Sequence, residues 1–320
     1  GERRVRYRTV RGGKRDAQRE LNRVLAEVED NKYFDTGRLT VGQYLDRWLA
    51  DYASVNVSPK TYERYEEVVE KHLKPALGNP QIGKLRPLDI QTYYSEALRS
   101  GRLNGKGGLS ARTVHHHHRI LFQALRQAVR WEVITRNPAE AAKPPSPETR
   151  EINYLQPDEL IALLRFTKST RLHVPVLLAA TTGLRRGEVL GLRWKDIDLD
   201  KGWLTVTQAL EQTRSGLRFK APKTKRSRRT VTLPQITGAA LRDHRIAQMK
   251  ERLALGLGKP PGEEVVFTRY DGEPVNPRNF SKEFDRIVKR SGVRRITFHG
   301  LRHTHLTNLL RANVHPKIAS

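Results

Sequence analysis

Two short segments in the second half of the sequence carry side chains that could hold and activate a phosphate. In the first, Arg185 and Glu188 are three residues apart, so they share one face of a helix that we predict to run to Leu192. In the second, His299 and Arg302 have the same spacing in the first turn of another predicted helix, where N–H groups and the helix dipole favour an anion. Taken singly, the first pair also fits a surface salt bridge, and the histidine also fits a structural role.

A run of basic residues separates these two segments. Six of the ten residues at 220–229 are lysine or arginine and none is acidic, and the run precedes an alternating segment, Arg229–Leu233, that predicts a strand. We interpret the run as a basic β-hairpin that carries Lys223 and presses into a DNA groove. A solvated charge run is the ordinary alternative. The candidate DNA contacts in it are Lys225, Arg226, Arg228 and Arg229.

Together the three segments supply what phosphoryl transfer needs without a metal ion. The guanidinium forks of Arg185 and Arg302 can each hold non-bridging phosphate oxygens while charge builds on them. The Lys223 ammonium can protonate a leaving 5′ oxygen, and the His299 imidazole can relay a proton. The sequence offers no carboxylate cluster suited to two magnesium ions, so we predict no metal site and no cofactor.

The order of these segments resembles the catalytic domain of the tyrosine recombinase, or phage integrase, family. The matching pieces are Thr-Gly-Leu-Arg-x-Gly-Glu at 182–188, Lys-Thr at 223–224 and His-x-Leu-Arg-His at 299–303. Trp-Lys-Asp-Ile-Asp at 194–198 is also similar to the family. The resemblance extends over most of the chain, from about residue 40 onward.

The resemblance implies a role for each matching residue. Arg185 and Arg302 are similar to the two arginines that hold the scissile phosphate, and Glu188 is similar to the acid that supports them. Lys223 is similar to the general acid, and His299 to the first histidine of a pair.

The family pattern also contains a second His or Trp and a nucleophilic tyrosine roughly thirty residues beyond the second arginine. All ten tyrosines of this sequence precede His299, and Tyr270 lies in a predicted turn, so we do not assign it as the nucleophile. We therefore expect that these 320 residues are truncated before the nucleophile and bind DNA without cleaving it.

The resemblance further implies a site-specific recombinase that integrates or excises a mobile element without ATP or metal. Such an enzyme cleaves strands through a 3′-phosphotyrosyl intermediate and exchanges them in a homo-tetramer on double-stranded attachment-site DNA. Two alternatives stay open. One is a non-catalytic DNA-binding regulator on the same fold, and the other is a metal-dependent nuclease, whose cleavage EDTA would abolish.

Composition favours a nucleic-acid partner. The chain has 60 Lys and Arg against 34 Asp and Glu, a net charge of +26 that is spread over every region. A charge of this size favours a polyanion, and its even spread favours DNA over a membrane surface. No apolar run approaches the roughly 18 residues of a spanning helix, so we predict no membrane contact. The absence of cysteine excludes disulfides and fits a cytoplasmic protein. The resemblance to integrases implies that it is encoded by a bacterium or a phage.

Residues 1–38 are predicted to form a basic arm with one helix over 16–30. The resemblance makes this arm the remnant of an arm-site DNA-binding domain, whereas a frayed basic tail is the simpler interpretation. The candidate DNA contacts are Arg3, Arg4, Arg6 and Arg8.

Residues 39–140 are predicted to form an all-α domain, which the resemblance makes a SAM-like core-binding bundle. Thr40 and Ser58 can cap two helices, Leu88–Leu98 is a third, and Ser110 can cap a long fourth helix.

Four consecutive histidines, His115–His118, lie inside the fourth helix. They cover a whole helical turn and cannot all face one ion. We predict a solvated or DNA-facing turn there.

Prolines mark a linker at 141–150, and the composition then changes. Residues 151–320 are predicted to form a mixed α+β catalytic domain, incomplete at its C-terminus. A helix at Leu155–Thr167 and strands at Trp203–Thr207 and Arg229–Leu233 indicate helices around a small antiparallel sheet. The chain is therefore predicted to be multi-domain.

Overall fold

The chain divides into two structural units, residues 1–148 and 149–320, each with its own buried core. The computed structural model of the chain describes residues 9–29, 38–149, 151, 153–221, 228–258 and 262–314.

The first unit begins with helix α1 (Lys14–Glu29), where the sequence predicted one. Its Leu21 side chain is exposed. The rest of this unit is helical, with two of its long helices passing through a π-helical turn. In chain order the elements are α2 (Val41–Arg47), a π-helical turn (Trp48–Ala53), α3 (Ser54–Asn56), α4 (Pro59–Val68), a second π-helical turn (Val69–Leu73), α5 (Lys74–Leu77), α6 (Pro87–Ser100) and α7 (Ala111–Arg130), with short 3₁₀ turns at Ile82–Lys84 and Pro138–Glu140.

Side-chain caps start these helices where the sequence predicted. Thr40 accepts from the Gln43 N–H while the Gln43 side chain accepts from the Thr40 N–H, which completes a capping box. Ser58 and Ser110 each accept from the N–H three residues on. Because an oxygen placed there satisfies an N–H that has no partner within the helix, local sequence was enough to locate these starts.

The core of the helical unit is rich in aromatic residues. Trp48 and Tyr44 are fully buried, and the Tyr44 hydroxyl donates to the Ala124 carbonyl at 2.6 Å. The histidine run also contributes to this core. His117 is fully buried, with its Nδ1 2.7 Å from the Tyr93 hydroxyl, so the prediction of a solvated or DNA-facing turn was wrong for this residue. The apolar face of α7 includes position 117, and Tyr93 partners one nitrogen of the imidazole there, whereas Nε2 is buried without a hydrogen-bond partner among the described residues.

The second unit contains six α-helices and a 3₁₀ turn (Trp194–Asp196) among its described residues, and the helix predicted at Leu155–Thr167 starts two residues later, at Pro157. Sequence reasoning had not placed α11 and α12. The helices are α8 (Pro157–Thr167), α9 (His173–Thr182), α10 (Arg186–Leu190), α11 (Gln235–Ala254), α12 (Pro277–Ser291) and α13 (Phe298–Arg311).

Helix α9 is the centre of this unit. Its apolar residues Val176, Leu178 and Ala179 are fully buried because α8, α10, α11 and α13 all pack against it. A helix that is apolar on every side is buried on every side, and here that places the C-terminal end of α9 beside α10 and α13.

The strands form two small antiparallel sheets, where the sequence predicted one. One sheet has the order β1–β2–β5, with Val206 of β2 opposite Arg229 of β5, and the other is the β3–β4 hairpin. The strands are β1 (Ile197–Asp198), β2 (Trp203–Val206), β3 (Ala209–Thr213), β4 (Gly216–Lys220) and β5 (Arg229–Thr232).

The predicted basic hairpin at 220–229 needs a correction. The strands on either side of this run, β4 and β5, pair with β3 and β2 respectively, so they belong to different sheets. The hairpin lies earlier in the chain, with its turn at Arg214 and Ser215. Alternation in the sequence identified β5 as a strand, but a strand's partner depends on distant residues that no local pattern contains.

Candidate active site

The first segment predicted to hold phosphate lies where α9 ends and α10 begins. Gly183 closes α9 in the left-handed conformation at φ 64°, and Arg185 is the N-cap of α10. The Arg185 guanidinium donates through Nη1 to Glu188 Oε1 at 3.0 Å, and its backbone N–H donates to Oε2 at 2.8 Å. The predicted pairing of these two residues is therefore present, with the arginine exposed and the carboxylate buried.

A third residue completes the surroundings of Glu188. Arg229, at the start of β5, donates through Nη1 to Oε1 at 3.1 Å and through Nη2 to Oε2 at 2.8 Å. Burial by itself would raise the pKa of Glu188, but hydrogen bonds from Arg229 and Arg185 and the charge of Arg229 lower it below its ordinary value. Glu188 is therefore an ionised carboxylate held between two arginines.

The second segment joins this group from α13. Thr297 caps the helix by accepting from the Gly300 N–H, which places His299 and Arg302 in its first turns. The Arg302 guanidinium donates through Nη1 to the carbonyl of Gly183, a residue 119 positions away in the chain. This hydrogen bond brings together the two segments that the sequence predicted to act together.

The charges of this group affect one another. Burial, followed by the positive charges of Arg185 and Arg229, lowers the pKa of Arg302. Burial also lowers the pKa of His299, and the neighbouring His303, Arg302 and Arg185 lower it further. His299 is therefore neutral at pH 7 and able to accept a proton, while the arginines stay cationic. Cations gathered in this way favour a bound anion.

His305 supports the site, and sequence reasoning missed it. Its Nδ1 lies 3.1 Å from the Ala180 carbonyl, and its ring packs so closely on Gly183 that a Cβ there would lie 2.7 Å from the ring Cδ2. The signal was its position three residues after Arg302, which puts both side chains on the face of α13 that meets α9.

Comparison with known proteins identifies the family. Residues 153–320 match the phage integrase family, and residues 40–98 match the phage integrase N-terminal SAM-like domain. The chain belongs to the phage integrase family. The expected resemblance to tyrosine recombinases is thereby confirmed.

Relatives of this integrase-family chain come from bacteria and mobile elements. It is 29% identical over 325 residues to the tyrosine recombinase XerC-like protein of Caldanaerobacter subterraneus subsp. tengcongensis, covering 96% of this chain and 81% of that protein. It is 23% identical to the ICEBs1 integrase of Bacillus subtilis, covering 96% and 81%.

Solved integrase structures share the fold. The Tn1549 transposon integrase in complex with a circular intermediate DNA matches with a TM-score of 0.73 at 23% identity, over 88% of this chain and 90% of that one. A lambda integrase tetramer bound to a Holliday junction matches with a TM-score of 0.60 at 20% identity, over 96% and 86%. The helical SAM-like unit followed by a mixed catalytic unit is thus the integrase architecture, as predicted.

Only some of the predicted site residues lie in the part of the chain that the structure describes. Arg185, Glu188, His299 and Arg302 lie together, and Arg229 lies with them, although it was predicted as a DNA contact. Arg228 is exposed immediately before β5. The roles of all these residues stay predictions. Seven other predicted residues lie outside the described part of the chain: Lys223, Lys225, Arg226, Arg3, Arg4, Arg6 and Arg8.

The two described tyrosines of the catalytic unit contact other arginines. The Tyr154 hydroxyl accepts from Arg311 at 3.2 Å, and the Arg171 guanidinium lies 3.4 Å from the centre of the Tyr270 ring. Tyr270 lies in a turn, as predicted.

The described residues offer neither a metal site nor a membrane-spanning helix. Among them, no three or more His, Asp or Glu side chains gather in a way that could hold a metal ion. Within the same ranges, no helix is long and apolar enough to cross a bilayer.

Proposed function

We propose that this chain is the DNA-binding and phosphate-activating part of a site-specific recombinase that integrates or excises a mobile element. One observation carries the proposal: Arg185 and Arg302, which belong to different motifs, meet beside a neutral His299. Two guanidinium forks can hold the non-bridging oxygens of one phosphodiester and stabilise the charge of its transition state.

The proposed reaction assigns each group one task. A tyrosine oxygen attacks phosphorus and forms a 3′-phosphotyrosyl bond, while the bond from phosphorus to the 5′ oxygen breaks. Lys223 gives the leaving 5′ oxygen its proton, and His299, neutral at pH 7, accepts the proton that the tyrosine hydroxyl loses. Every tyrosine of the sequence precedes His299, and we propose that these 320 residues bind DNA but do not supply the nucleophile.

The partners that we propose for this chain follow from its net charge and from the complexes that similar integrases form. The net charge of +26 suits double-stranded DNA. The Tn1549 integrase forms a complex with circular intermediate DNA, and lambda integrase binds a Holliday junction as a tetramer. By analogy, the chain acts on attachment-site duplexes in a homo-tetramer and works in the cytoplasm, on the nucleoid when it is bound.

A second candidate function is a non-catalytic DNA-binding regulator with the same fold. The positions of Tyr154 and Tyr270 favour it, because each ring contacts an arginine outside the phosphate-binding group. Both candidates bind DNA with a steep dependence on salt, so binding alone does not separate them.

Chemical rescue separates the two candidates. A binding duplex is first selected from a random-sequence pool and is then incubated with the chain, EDTA and hydrogen peroxide. A peroxide oxygen can attack phosphorus in place of the tyrosine oxygen, and the 5′ oxygen again leaves with a proton. We expect breakage at one phosphodiester per strand with peroxide and no covalent protein–DNA adduct without it.

Three outcomes bear on the proposal. Site-specific breakage that Arg302→Ala abolishes, with duplex binding retained, supports phosphate activation. Binding without rescued breakage supports the regulator. Cleavage that appears only when EDTA is left out and magnesium is added would indicate a metal-dependent nuclease and would overturn both.

A further inference from the structure

Arg229 was predicted as a DNA contact, but its guanidinium faces into the protein. Its side chain is 22% exposed, and both terminal nitrogens donate to the carboxylate of Glu188. Glu188, 8% exposed, also accepts both the backbone N–H and the guanidinium of Arg185. The carboxylate thus receives four hydrogen bonds, two from each arginine, which fills its accepting positions.

We propose that Arg229 is a positioning residue of the phosphate site, which holds Glu188 so that Glu188 in turn fixes Arg185. The inference rests on the proposed function for the identity of the anion. It assigns Arg229 no contact with the phosphate itself.

The geometry of the fork gives Arg229 this ability. Two parallel N–H to oxygen bonds fix the plane of a carboxylate, which a single ammonium cannot do. Once the plane is set, one oxygen faces the Arg185 guanidinium and the other faces its backbone N–H. Without the fork, a buried carboxylate would keep only half of its donors and would turn or bind a proton.

The backbone on both sides makes this support rigid. Arg229 is the first residue of β5, and its Cα pairs with Val206 of β2. Arg185 is the N-cap of α10, and Glu188 lies one turn into that helix. The fork therefore connects the edge of the sheet to the start of the helix that presents Arg185.

Charge alone is the competing explanation. Arg229 also lowers the pKa of Arg302, so its positive charge reaches the site. Under a pure-charge role, Arg229→Lys would behave like the wild type, and Glu188→Gln would bind anions more tightly because a negative charge has gone. Under a positioning role, both substitutions weaken anion binding.

The test measures inorganic phosphate binding to the 320-residue chain by NMR of ¹⁵N-labelled arginine side chains. We expect Arg229→Gln to weaken binding about tenfold, the loss of one charged hydrogen-bonding partner. Arg229→Lys should weaken it about threefold although the charge is kept, and Glu188→Gln about tenfold. The double variant should be no weaker than either single one, because coupled residues are not additive.

Arg193→Gln is the matched control. Arg193 donates through Nε to Asp196 Oδ2 at 2.7 Å, and that carboxylate is also 8% exposed, so this variant breaks a similar buried pair in the same unit. We expect it to lower the unfolding temperature while phosphate affinity stays unchanged. An equal loss of phosphate affinity would show general destabilisation and would overturn the proposal. If Arg229→Gln does not fold, Arg229→Lys carries the same comparison.

A second readout keeps this inference separate from the proposed function. The pKa of Glu188, followed by ¹³C NMR of labelled glutamate carboxyls, should rise in both Arg229 variants and stay unchanged in Arg193→Gln. If the wild type binds no phosphate at Arg185 and Arg302, the proposed function fails. The titration of Glu188 still tests whether Arg229 positions that carboxylate. An unchanged Glu188 pKa in both Arg229 variants would refute the role itself.

Discussion

Helices α7 and α13 both carry several histidines, and the structure uses them in opposite ways. In the helical unit, His117 of α7 is fully buried against Tyr93, and burial, followed by the charges of His72, Arg64 and His116, lowers its pKa to about 3. In the catalytic unit, His299 of α13 is only partly buried, and it lies at a cluster of arginines.

The difference teaches how to separate structural from functional polar residues. The helical unit removes a titratable group from water, keeps it neutral and gives it a hydrogen-bond partner. The catalytic unit gathers the like charges of three arginines beside a neutral His299, with Glu188 among them as the one buried acid of the described site. Like charges held together cost stability, and such a cost is typical of a site that binds an oppositely charged ligand.

The largest expected effect tests the basic run that precedes β5 in the sequence. Replacing Lys225, Arg226 and Arg228 by glutamine should reduce the slope of log affinity against log salt by about 2.7 and weaken binding of a mixed-sequence duplex about a hundredfold at low salt. Adding Arg229→Gln should change the slope little, because Glu188 already engages that side chain. Fluorescence anisotropy measures both quantities, and an unchanged slope would make the run a solvated surface.

Arg302→Ala tests the gathered cations. It should weaken inorganic phosphate binding by about 2–3 kcal/mol, the contribution of a hydrogen-bonding charged partner. Duplex affinity should change less than about threefold, because one arginine is a small part of a net charge of +26. Phosphate titration and anisotropy on the same samples measure the two effects. Equal losses in both would contradict the assignment of Arg302 to the reacting phosphate.

Gly183→Ala tests the close packing of α9 against α13. The left-handed φ of 64° and a Cβ only 2.7 Å from His305 should together cost about 2–3 kcal/mol of unfolding free energy. Gly292→Ala is the matched control, since φ there is 73° with no atom within 4 Å of the added Cβ, and it should cost about 1 kcal/mol. Urea unfolding measures both, and equal costs would mean that the His305 contact is unimportant.

His117→Gln tests the neutral core and should have the smallest effect at pH 7.5. The pKa of His117 is lowered in the folded state, so the unfolded chain binds the extra proton, and stability falls as pH drops from about 6.5 towards 3. Between pH 6.5 and 5, the unfolding free energy of the wild type should therefore fall by about 2 kcal/mol more than that of His117→Gln. Urea unfolding at the two pH values checks this, with His116→Gln as a less buried control. Parallel pH profiles for wild type and His117→Gln would show that His117 takes up its proton without unfolding.

Local features of the fold were predictable because their causes are local. Thr40, Ser58 and Ser110 satisfy the first N–H groups of their helices, and this pattern lies within four residues. The pairing of Arg185 with Glu188 was likewise available from their spacing. The order of the motifs identified the family. The family in turn implied the whole fold, of which hydrophobic periodicity alone predicted only some elements.

Contacts that depend on distant residues were not predictable. Arg229 looked like its exposed neighbour Arg228, and only the pairing of β5 with β2 turns it towards Glu188. The histidine run hid the burial of His117 because four identical residues show no periodicity. The partner of β4 could not be found for a similar reason, since register depends on the far strand.

The hydrogen bond from Arg302 to Gly183 has a consequence for the order of protein synthesis. A chain emerging from the ribosome presents its basic arm, its helical unit and Arg185 long before α13 has been made. Until α13 closes that long loop, Arg185 and Arg229 lack Arg302, and under the proposed function a nascent chain near DNA can bind it but cannot hold a phosphodiester between Arg185 and Arg302. Under the proposed function, Arg302 is made late in synthesis, so we expect the chain to gain DNA affinity before it gains its complete phosphate site.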